Sequence, residues 1–221
     1  MTANLAHIDV WLFDLDNTLY PASTEFMGLI EVRMTDFVAR ATGLPRDEAR
    51  ALQKRYWMEH GTTLAGLMAH HGIDPTDFLN EVHDVALDRL APDPLLRAAM
   101  ERLPGRRLIF TNGSAAHAER VLAHLQLDDL FEDTFHIEAA DYIPKPAPGT
   151  FDRMTKRHGV DPRAAAFFED SEKNLAPAAL IGMTTVLVGD DAPASIADFV
   201  HHKTTDLAGF LAGASIKETA R

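Results

Sequence analysis

Two carboxylates, Asp14 and Asp16, follow directly after the apolar run at residues 10–13. The run has the composition of a buried strand, so both acids arrive at the edge of a core. Ionised carboxylates in that position repel each other and lose hydration, and they persist only where a cation or hydrogen-bond donors compensate them. The pair therefore predicts a magnesium-dependent site for phosphoryl transfer. The alternative is an acidic turn after a strand, since Asp and Asn favour turns.

The two carboxylates suit different roles. Asp14, at the strand end, would attack phosphorus and form an aspartyl-phosphate that water later hydrolyses. Asp16 would protonate the leaving oxygen and then take a proton from that water. A bound cation near one of them would help to keep Asp14 ionised while Asp16 carries a proton.

A second strand-end segment offers contacts for phosphate. Thr111, Asn112 and Gly113 follow an apolar run and precede a predicted helix, so a hydroxyl and helix-end N–H groups would hold the nontransferring oxygens. The alternative is an ordinary helix N-cap, in which Ser114 or Asn112 satisfies the first turn.

Lys145, Glu169 and Asp170 supply the remaining groups that this chemistry needs. Lys145 lies between two prolines in a rigid extended stretch that could aim its ammonium at Asp14 and the phosphoryl group, although a solvated loop lysine is the alternative. Glu169 and Asp170 repeat the opening pattern of an apolar strand that ends in paired acids. Magnesium favours such carboxylates together with water and phosphate oxygens, so these acids complete the predicted site.

Strands must bring these segments together. Residues 8–13, 107–111, 165–168 and 184–188 read as buried strands, and residues 135–139 as a weaker fifth. Predicted helices at 115–125, 150–158 and 175–181 alternate with them, which indicates an α/β fold with a parallel sheet. All four motifs then occupy the carboxyl ends of strands, where open α/β sheets bind their ligands.

About ninety residues separate the first predicted strand from the second, far more than a single crossover helix requires. Apolar residues recur at helical spacing over 25–41, 46–60, 63–71 and 76–90, which predicts a small helical bundle. Prolines mark both ends of this insertion and limit helix continuation. We therefore expect a catalytic core formed by residues 1–20 and 93–221 and a helical cap domain at 21–92. The alternative is that these helices pack rigidly on the sheet within one domain.

Composition narrows the class of protein. The 221 residues carry 21 basic and 33 acidic side chains, and the formal charge of −12 disfavours attraction to a nucleic acid polymer or an anionic membrane. The absence of cysteine excludes disulfides, a thiolate nucleophile and cysteine-based zinc sites. The first basic residue is Arg33 and no apolar run has membrane-spanning length, so we expect a soluble cytoplasmic protein, a monomer or a homodimer. The small polar tail at 209–221 is expected to be poorly ordered.

In their order and placement, the motifs resemble those of the haloacid dehalogenase superfamily of phosphohydrolases over about residues 8–190. The resemblance implies a Rossmann-like core with a helical cap inserted after the first strand, and Mg²⁺ as cofactor. The resemblance implies that Asp14 is the nucleophile and that Asp16 is the acid and base. The presence of Asp16 favours a phosphatase, because the superfamily's dehalogenases lack this second aspartate. The implied metal ligands are Asp14, the main-chain carbonyl of Asp16 and Asp170, with Glu169 close by through water, and the implied phosphate contacts are Thr111 and Lys145.

The chain also resembles the pyrimidine 5′-nucleotidase branch of this superfamily in longer stretches, at residues 13–21, 110–113, 168–171 and 56–67. It departs from that branch at His60, where Tyr is usual. This resemblance implies that the ligand is a small phosphorylated metabolite, a nucleoside monophosphate such as UMP or CMP. A cap that closes over the site would exclude water and contact the substrate. Packing between helices is the alternative for Tyr56 and Trp57. The candidate contacts are Gly61, Thr62 and Thr63 between two predicted helices, and the rings of Tyr20, Tyr56 and His60, which would stack on or hydrogen-bond a base.

Three competing interpretations remain at this point. One of them, a catalytically silent binding protein on the same scaffold, is disfavoured because every chemical group that the reaction requires is present. A sugar-phosphate or phosphoglycolate phosphatase would use the same core residues. A signalling receiver domain also places acids, a hydroxyl and a lysine around magnesium but keeps its aspartyl-phosphate as a switch. The Asp-x-Asp spacing and the large insertion argue against the receiver domain.

Overall fold

The computed structural model describes residues 3–217 and contains a six-stranded parallel sheet. The strands lie in the order β3-β2-β1-β4-β5-β6, so the direction of winding reverses between β1 and β4. The predicted α/β class with a parallel sheet is confirmed. The strands are β1 (Val10–Phe13), β2 (Arg106–Phe110), β3 (Asp133–Phe135), β4 (Ala165–Glu169), β5 (Thr184–Val188) and β6 (His202–Thr204).

Helices surround this sheet, and several begin at a polar side chain that accepts a first-turn N–H group, as Asp93 and Ser114 do. None of the helices within residues 3–217 has both the length and the apolar character needed to cross a bilayer. The helices are α1 (Phe26–Thr42), α2 (Arg46–His60), α3 (Thr63–His71), α4 (Pro75–Val82), α5 (Pro94–Glu101), α6 (Ala115–Leu125), α7 (Pro148–His158), α8 (Glu172–Leu180) and α9 (Leu207–Gly213).

The core has two parts, one on each face of the sheet. Along β1 the side chains alternate, so that Trp11 and Phe13 enter one apolar cluster while Val10 and Leu12 enter the other. The first cluster joins the sheet to α1–α6 and α9, and the second joins it to α7 and α8. The continuous apolar run at 10–13 is therefore explained by burial of β1 on both faces.

Some predicted boundaries are wrong. The fourth helix of the insertion was expected to reach residue 90 but ends at Val82, because Arg120 donates to the carbonyl oxygens of His83 and Val85 and holds the following segment in a turn. The weak strand predicted at 135–139 lies at Asp133–Phe135, where it pairs with β2.

The expectation of a poorly ordered tail is also wrong for the part that the structure describes. Helix α9 buries Leu207 and Leu211 in the first apolar cluster, and Ser215 forms an isolated parallel bridge with Asn4. Residues 218–221 of that prediction lie outside the described residues.

Candidate active site

The carboxyl ends of β1, β2 and β4 carry the residues singled out from the sequence. Asp14 follows β1, Thr111 follows β2, and Glu169 is the last residue of β4. Because these strands are adjacent and parallel, their side chains meet at one edge of the sheet. Asn17 adopts the left-handed conformation (φ 59°), which turns the chain away from the sheet directly after Asp16.

Lys145 lies at the centre of this group. Its Nζ donates to Asp14 Oδ1, to Glu169 Oε2 and to the Phe110 carbonyl oxygen, each at 2.7 Å. Only 1% of Lys145 is exposed, so the alternative of a solvated loop lysine is wrong. Asn112 holds the lysine main chain in place, because its Oδ1 accepts the Lys145 N–H group at 2.8 Å and its Nδ2 donates to the Lys145 carbonyl oxygen at 3.2 Å.

Burial shifts the titration of these acids. It raises the pKa of Asp14 and of Glu169 to about 7 and that of Asp170 to about 6; repulsion between the carboxylates adds to the shift, and Lys145 opposes it. Burial alone would lower the pKa of Lys145, but the charges of Asp14 and Glu169 raise it, so the ammonium stays protonated. Within residues 3–217 the one ammonium that bonds to any of these three carboxylates is that of Lys145, and a divalent cation would supply further positive charge.

The donor set fits the predicted Mg²⁺. Asp14, Glu169 and Asp170 each offer a carboxylate oxygen, and these atoms lie within 4.8 Å of one another. Asn174 Oδ1 is buried without a hydrogen-bond partner within residues 3–217, and Asn174 lines the same cavity. Hard oxygen donors of this kind, with room for water, suit magnesium. Within residues 3–217 the carboxylate of Asp16 is not part of this group, and a contribution from its main-chain carbonyl stays a prediction.

The Asp16 carboxylate is instead held by two hydrogen bonds. Its Oδ1 accepts from the Tyr20 hydroxyl at 2.6 Å and lies 2.8 Å from His117 Nε2. Burial would raise the pKa of Asp16, but His117 and the Tyr20 hydroxyl more than offset this effect and lower it to about 2. No sequence motif singles out His117, whose position on the buried face of α6 is that of an ordinary core residue.

The segment after β2 contains a threonine hydroxyl that can donate to a ligand and a serine that caps the next helix. Thr111 Oγ1 accepts the Gly113 N–H group at 2.9 Å, so its own proton can be donated to a ligand. Ser114 caps α6, because its Oγ accepts the His117 N–H group at 3.2 Å. Asn112 also lines the cavity, but its amide is engaged by Lys145, which makes it a supporting residue rather than a free phosphate contact.

A cavity of about 300 Å³ lies between this sheet edge and the helical insertion. Gly61, Thr62 and Thr63 line it, as was expected. Gly61 has φ +84°, and a β-carbon there would lie 3.0 Å from Pro144 Cγ, so the turn between α2 and α3 approaches the Lys145 loop closely. Thr62 caps α3 and Thr63 donates to the Gln53 carbonyl oxygen, which fixes both threonines.

The three rings expected to contact a base lie elsewhere. Tyr20 is buried, its ring packs edge-on against Phe26, and its hydroxyl is committed to Asp16. Tyr56 is buried against α3, and its hydroxyl lies 2.9 Å from His71 Nε2. His60 Nε2 lies 3.1 Å from His70 Nε2. Within the described residues none of the three lines the cavity, so the expectation of direct base contact is corrected.

Trp57 is the cavity residue that the sequence interpretation undervalued. The packing alternative holds for Tyr56, but Trp57 is 50% exposed and forms part of the cavity wall. The Lys173 ammonium lies 3.6 Å from the centre of one of its rings. Trp57 belongs to α2 and Lys173 to α8, so this contact joins the inserted helices to a helix that follows β4.

Comparison with known proteins places the chain among related sequences. A family model described as haloacid dehalogenase-like hydrolase matches residues 8–182. The chain belongs to this family. The predicted recognition of the haloacid dehalogenase superfamily is thus confirmed.

Two curated proteins that are similar to this chain have names that refer to phosphate chemistry. The chain is 31% identical over 194 residues to Phosphate metabolism protein 8 of Saccharomyces cerevisiae, a match that covers 80% of this chain and 60% of that protein. It is 36% identical over 109 residues to the fructose-1-phosphate phosphatase of Escherichia coli, covering 48% of this chain and 56% of that protein. The matched segments make up less than two thirds of the length of either relative.

Solved structures of haloacid dehalogenase-like proteins share the fold. A HAD phosphatase from Thermococcus onnurineus is 20% identical with a TM-score of 0.64, and the match covers 94% of this chain and 99% of that one. An L-2-haloacid dehalogenase from Xanthobacter autotrophicus is 19% identical with a TM-score of 0.58, covering 92% and 97%. The Rossmann-like fold is confirmed by these matches, and because it serves both chemistries the activity must be argued from the site.

Proposed function

We propose that this chain is a magnesium-dependent phosphomonoesterase that acts through an aspartyl-phosphate on nucleoside monophosphates such as UMP or CMP. One observation carries the proposal. The buried Lys145 ammonium binds Asp14 and Glu169 beside Asp170, and Asp16 lies two residues from Asp14 at the same cavity. This arrangement supplies a nucleophile, charge neutralisation and a proton donor, which are the parts that phosphomonoester hydrolysis needs.

In the first step an Asp14 carboxylate oxygen attacks phosphorus. The new bond joins this oxygen to phosphorus while the ester bond breaks, and the departing alkoxide takes a proton from the Asp16 carboxyl group. Thr111 and Lys145 hold the nontransferring oxygens. Magnesium, held by Asp14, Asp170 and the Asp16 main-chain carbonyl with Glu169 nearby, would neutralise charge on the phosphoryl group.

In the second step water attacks the aspartyl-phosphate. The ionised Asp16 takes a proton from this water, the bond between Asp14 and phosphorus breaks, and inorganic phosphate leaves. Asp16 therefore ends the cycle protonated, ready for the next ester. In the free protein Asp16 is ionised, and the negative charge of an arriving phosphoryl group would raise its pKa and favour the protonated form.

We further propose that residues 21–92 form a cap domain over a core made of residues 1–20 and 93–221. Two features support this division. The insertion contributes Met27, Glu31, Met34, Trp57 and residues 61–63 to the cavity wall, whereas the phosphoryl-transfer groups come from the sheet edge. A cavity built from two parts is the arrangement in which closure excludes water from the reaction.

The wall of the cavity supports a nucleoside as the leaving group. Trp57 presents a half-exposed ring, and a base can stack on such a surface by displacing the Lys173 ammonium. Met27 and Met34 add apolar contacts, and Glu31 offers a hydrogen-bond acceptor for hydroxyl or amino groups. Base recognition would thus depend on Trp57 rather than on Tyr20, Tyr56 or His60.

A sugar phosphate is the second candidate substrate. The similarity to the Escherichia coli fructose-1-phosphate phosphatase favours it, although the match covers only 48% of this chain. The polar groups of Thr62 and Glu31 at the cavity could bind sugar hydroxyls. The phosphoryl-transfer residues would act in the same way on either substrate.

Phosphate release from a panel of metabolites tests the proposal. UMP, CMP, fructose 1-phosphate and phosphoglycolate should be assayed with magnesium and with EDTA. We expect turnover that requires magnesium and is fastest for the nucleotides. Fast release from fructose 1-phosphate alone would assign the sugar-phosphate activity, and lack of release from every ester would refute a phosphomonoesterase. An aspartyl-phosphate that persisted for minutes without turnover would favour a receiver-like switch.

A further inference from the structure

The two oxygens of the Asp16 carboxylate have different surroundings. Oδ1 is engaged by both Tyr20 and His117. Within residues 3–217 no donor bonds Oδ2. A β-carbon placed on Gly113 would lie 3.6 Å from Oδ2, and both residues line the cavity, so this oxygen is the one available to a substrate. One oxygen is thus anchored and the other is free to carry the transferred proton.

The His117 ring packs against two other rings. It stacks on His83 with ring centres 4.2 Å apart and planes at 15°, and it lies parallel to Phe26 with centres 6.2 Å apart. Only 1% of His117 is exposed. The three rings come from α6, from the turn after α4 and from α1, so the position of the imidazole depends on contact between the sheet domain and the insertion.

Hydrogen bonds around Ser114 fix this stack further. Its Oγ accepts the main-chain N–H group of His117 and lies 3.1 Å from His83 Nδ1. This contact holds the His83 ring beside the cap of α6, whichever of the two atoms donates. Arg120, one turn along α6, donates to the His83 carbonyl oxygen at 2.9 Å and fixes the main chain there.

We propose that His117 is a positioning residue that sets the rotation of the Asp16 carboxyl group, so that Oδ2 meets the leaving oxygen of the substrate. Tyr20 assists through the same oxygen, Oδ1. This inference rests on the proposed function, because it assigns His117 to the proton-transfer part of that reaction. With one donor missing, the carboxyl group can rotate, and small misplacement of a reacting group is costly, on the order of 10²-fold in rate.

If His117 positions Asp16, the effect of replacing His117 should depend on the leaving group of the substrate. An alkoxide such as that of UMP or fructose 1-phosphate departs only with a proton, whereas p-nitrophenolate is a weak base and departs without one. In the first step, loss of correct Asp16 placement should therefore slow the first kind of substrate and spare the second. The second step, in which Asp16 takes a proton from water, is the same for both kinds. A residue that only supports the fold would slow both kinds alike.

The test measures the rate of leaving-group release in a single turnover, with protein in excess, because this rate reports the first step alone. The esters are UMP, fructose 1-phosphate and p-nitrophenyl phosphate, and the variant is His117→Phe, which keeps a ring without a donor. We expect the single-turnover rate on whichever alkyl ester the wild type hydrolyses to fall ~10²-fold and that on p-nitrophenyl phosphate to change by less than about threefold. His117→Gln, which keeps an N–H donor, should recover about tenfold of the loss. His124→Gln, on the exposed side of the same helix, is the matched control and should match the wild type.

Tyr20→Phe provides a second test that does not depend on the folding of the histidine variants. It removes one hydroxyl and keeps the ring against Phe26. It should show the same selective loss on alkyl esters. Equal losses on both kinds of ester in His117→Phe and Tyr20→Phe, or no loss on either, would overturn the positioning role while leaving the phosphatase proposal intact. A wild-type protein that hydrolysed none of the three esters would overturn both proposals.

Discussion

Lys145 Nζ and Asp14 Oδ1 lie 2.7 Å apart in the interior, and the same ammonium binds Glu169. A buried ion pair of this kind is not in itself strong support for stability, because both charges have lost their hydration. Removal of one partner is different, since it leaves the other charges buried without compensation. The stability of this protein should therefore depend on Lys145 more than on any surface lysine.

Lys145→Met is expected to lower the free energy of unfolding by ~3–5 kcal/mol in magnesium-free buffer at pH 8. The substitution keeps the aliphatic length but leaves Asp14 and Glu169 unpaired. Magnesium should restore part of the loss because it supplies positive charge to the same carboxylates. Urea unfolding with and without magnesium measures both effects. Lys156→Met, at an exposed position on α7, is the control, and equal unfolding midpoints for the two variants would contradict the role of Lys145.

The sequence was sufficient to predict the side chains at the sheet edge. Asp14, Thr111 and Glu169 each end an apolar run, and parallel strands bring such ends together whatever the details of helix packing. Lys145 could be placed there because the resemblance and the flanking prolines agreed. The inserted helical segment could also be predicted, because about ninety residues between two parallel strands are far more than a single crossover helix requires.

Contacts that depend on the register of helices could not be predicted in this way. His117 reaches Asp16 across 101 positions in the sequence, and only the rotation of α6 over the sheet determines that its ring points there. Trp57 and Tyr56 are neighbours on α2, yet one faces the cavity and the other packs on α3. Periodicity identifies a helix but does not decide which partially apolar side chain borders a ligand.

Asp14→Asn should abolish turnover without unfolding the protein. The amide cannot act as the nucleophile, so we expect a loss of at least ~10³-fold in kcat. In magnesium-free buffer at pH 8 the melting temperature should be no lower than that of the wild type, because the substitution removes one of three mutually repelling carboxylates while Lys145 keeps Glu169 and the Phe110 carbonyl. Phosphate release and thermal unfolding measure the two results. Hydrolysis at the wild-type rate would refute Asp14 as the nucleophile.

Proton and magnesium binding should compete at the acidic cluster. The pKa of Asp14 and of Glu169 is raised to about 7 and that of Asp170 to about 6, above their ordinary values of 3.8 to 4.5. The magnesium-free folded state therefore binds these protons more tightly than the unfolded chain, and the stability they contribute is lost as the pH rises through about 6 to 7. Magnesium should accordingly raise the melting temperature more at pH 8 than at pH 5.5.

The comparison at each pH is between magnesium and EDTA. Groups that do not bind magnesium contribute equally to both measurements, so the difference between them removes their effect. His83 is such a group: burial lowers its pKa to about 3, so it makes the protein more stable as the pH rises, whereas the acidic cluster makes it less stable. Asp170→Asn should reduce the magnesium effect at pH 8, whereas Asp152→Asn, at an exposed position on α7, should not. A magnesium-induced shift of equal size at both pH values would contradict a cation site made of these three acids.

Trp57→Ala should separate nucleotide substrates from sugar phosphates. Loss of the ring removes a stacking surface worth ~1–3 kcal/mol per base, so KM for UMP should rise about tenfold or more. KM for fructose 1-phosphate should change by less than about twofold, since a sugar has no aromatic face to stack. Trp57→Phe should give an intermediate KM for UMP. Met58→Ala, on the same helix with its side chain 68% exposed, is the matched control. An unchanged KM for UMP in Trp57→Ala would show that the base does not bind on this ring, and the sugar-phosphate candidate would then be favoured.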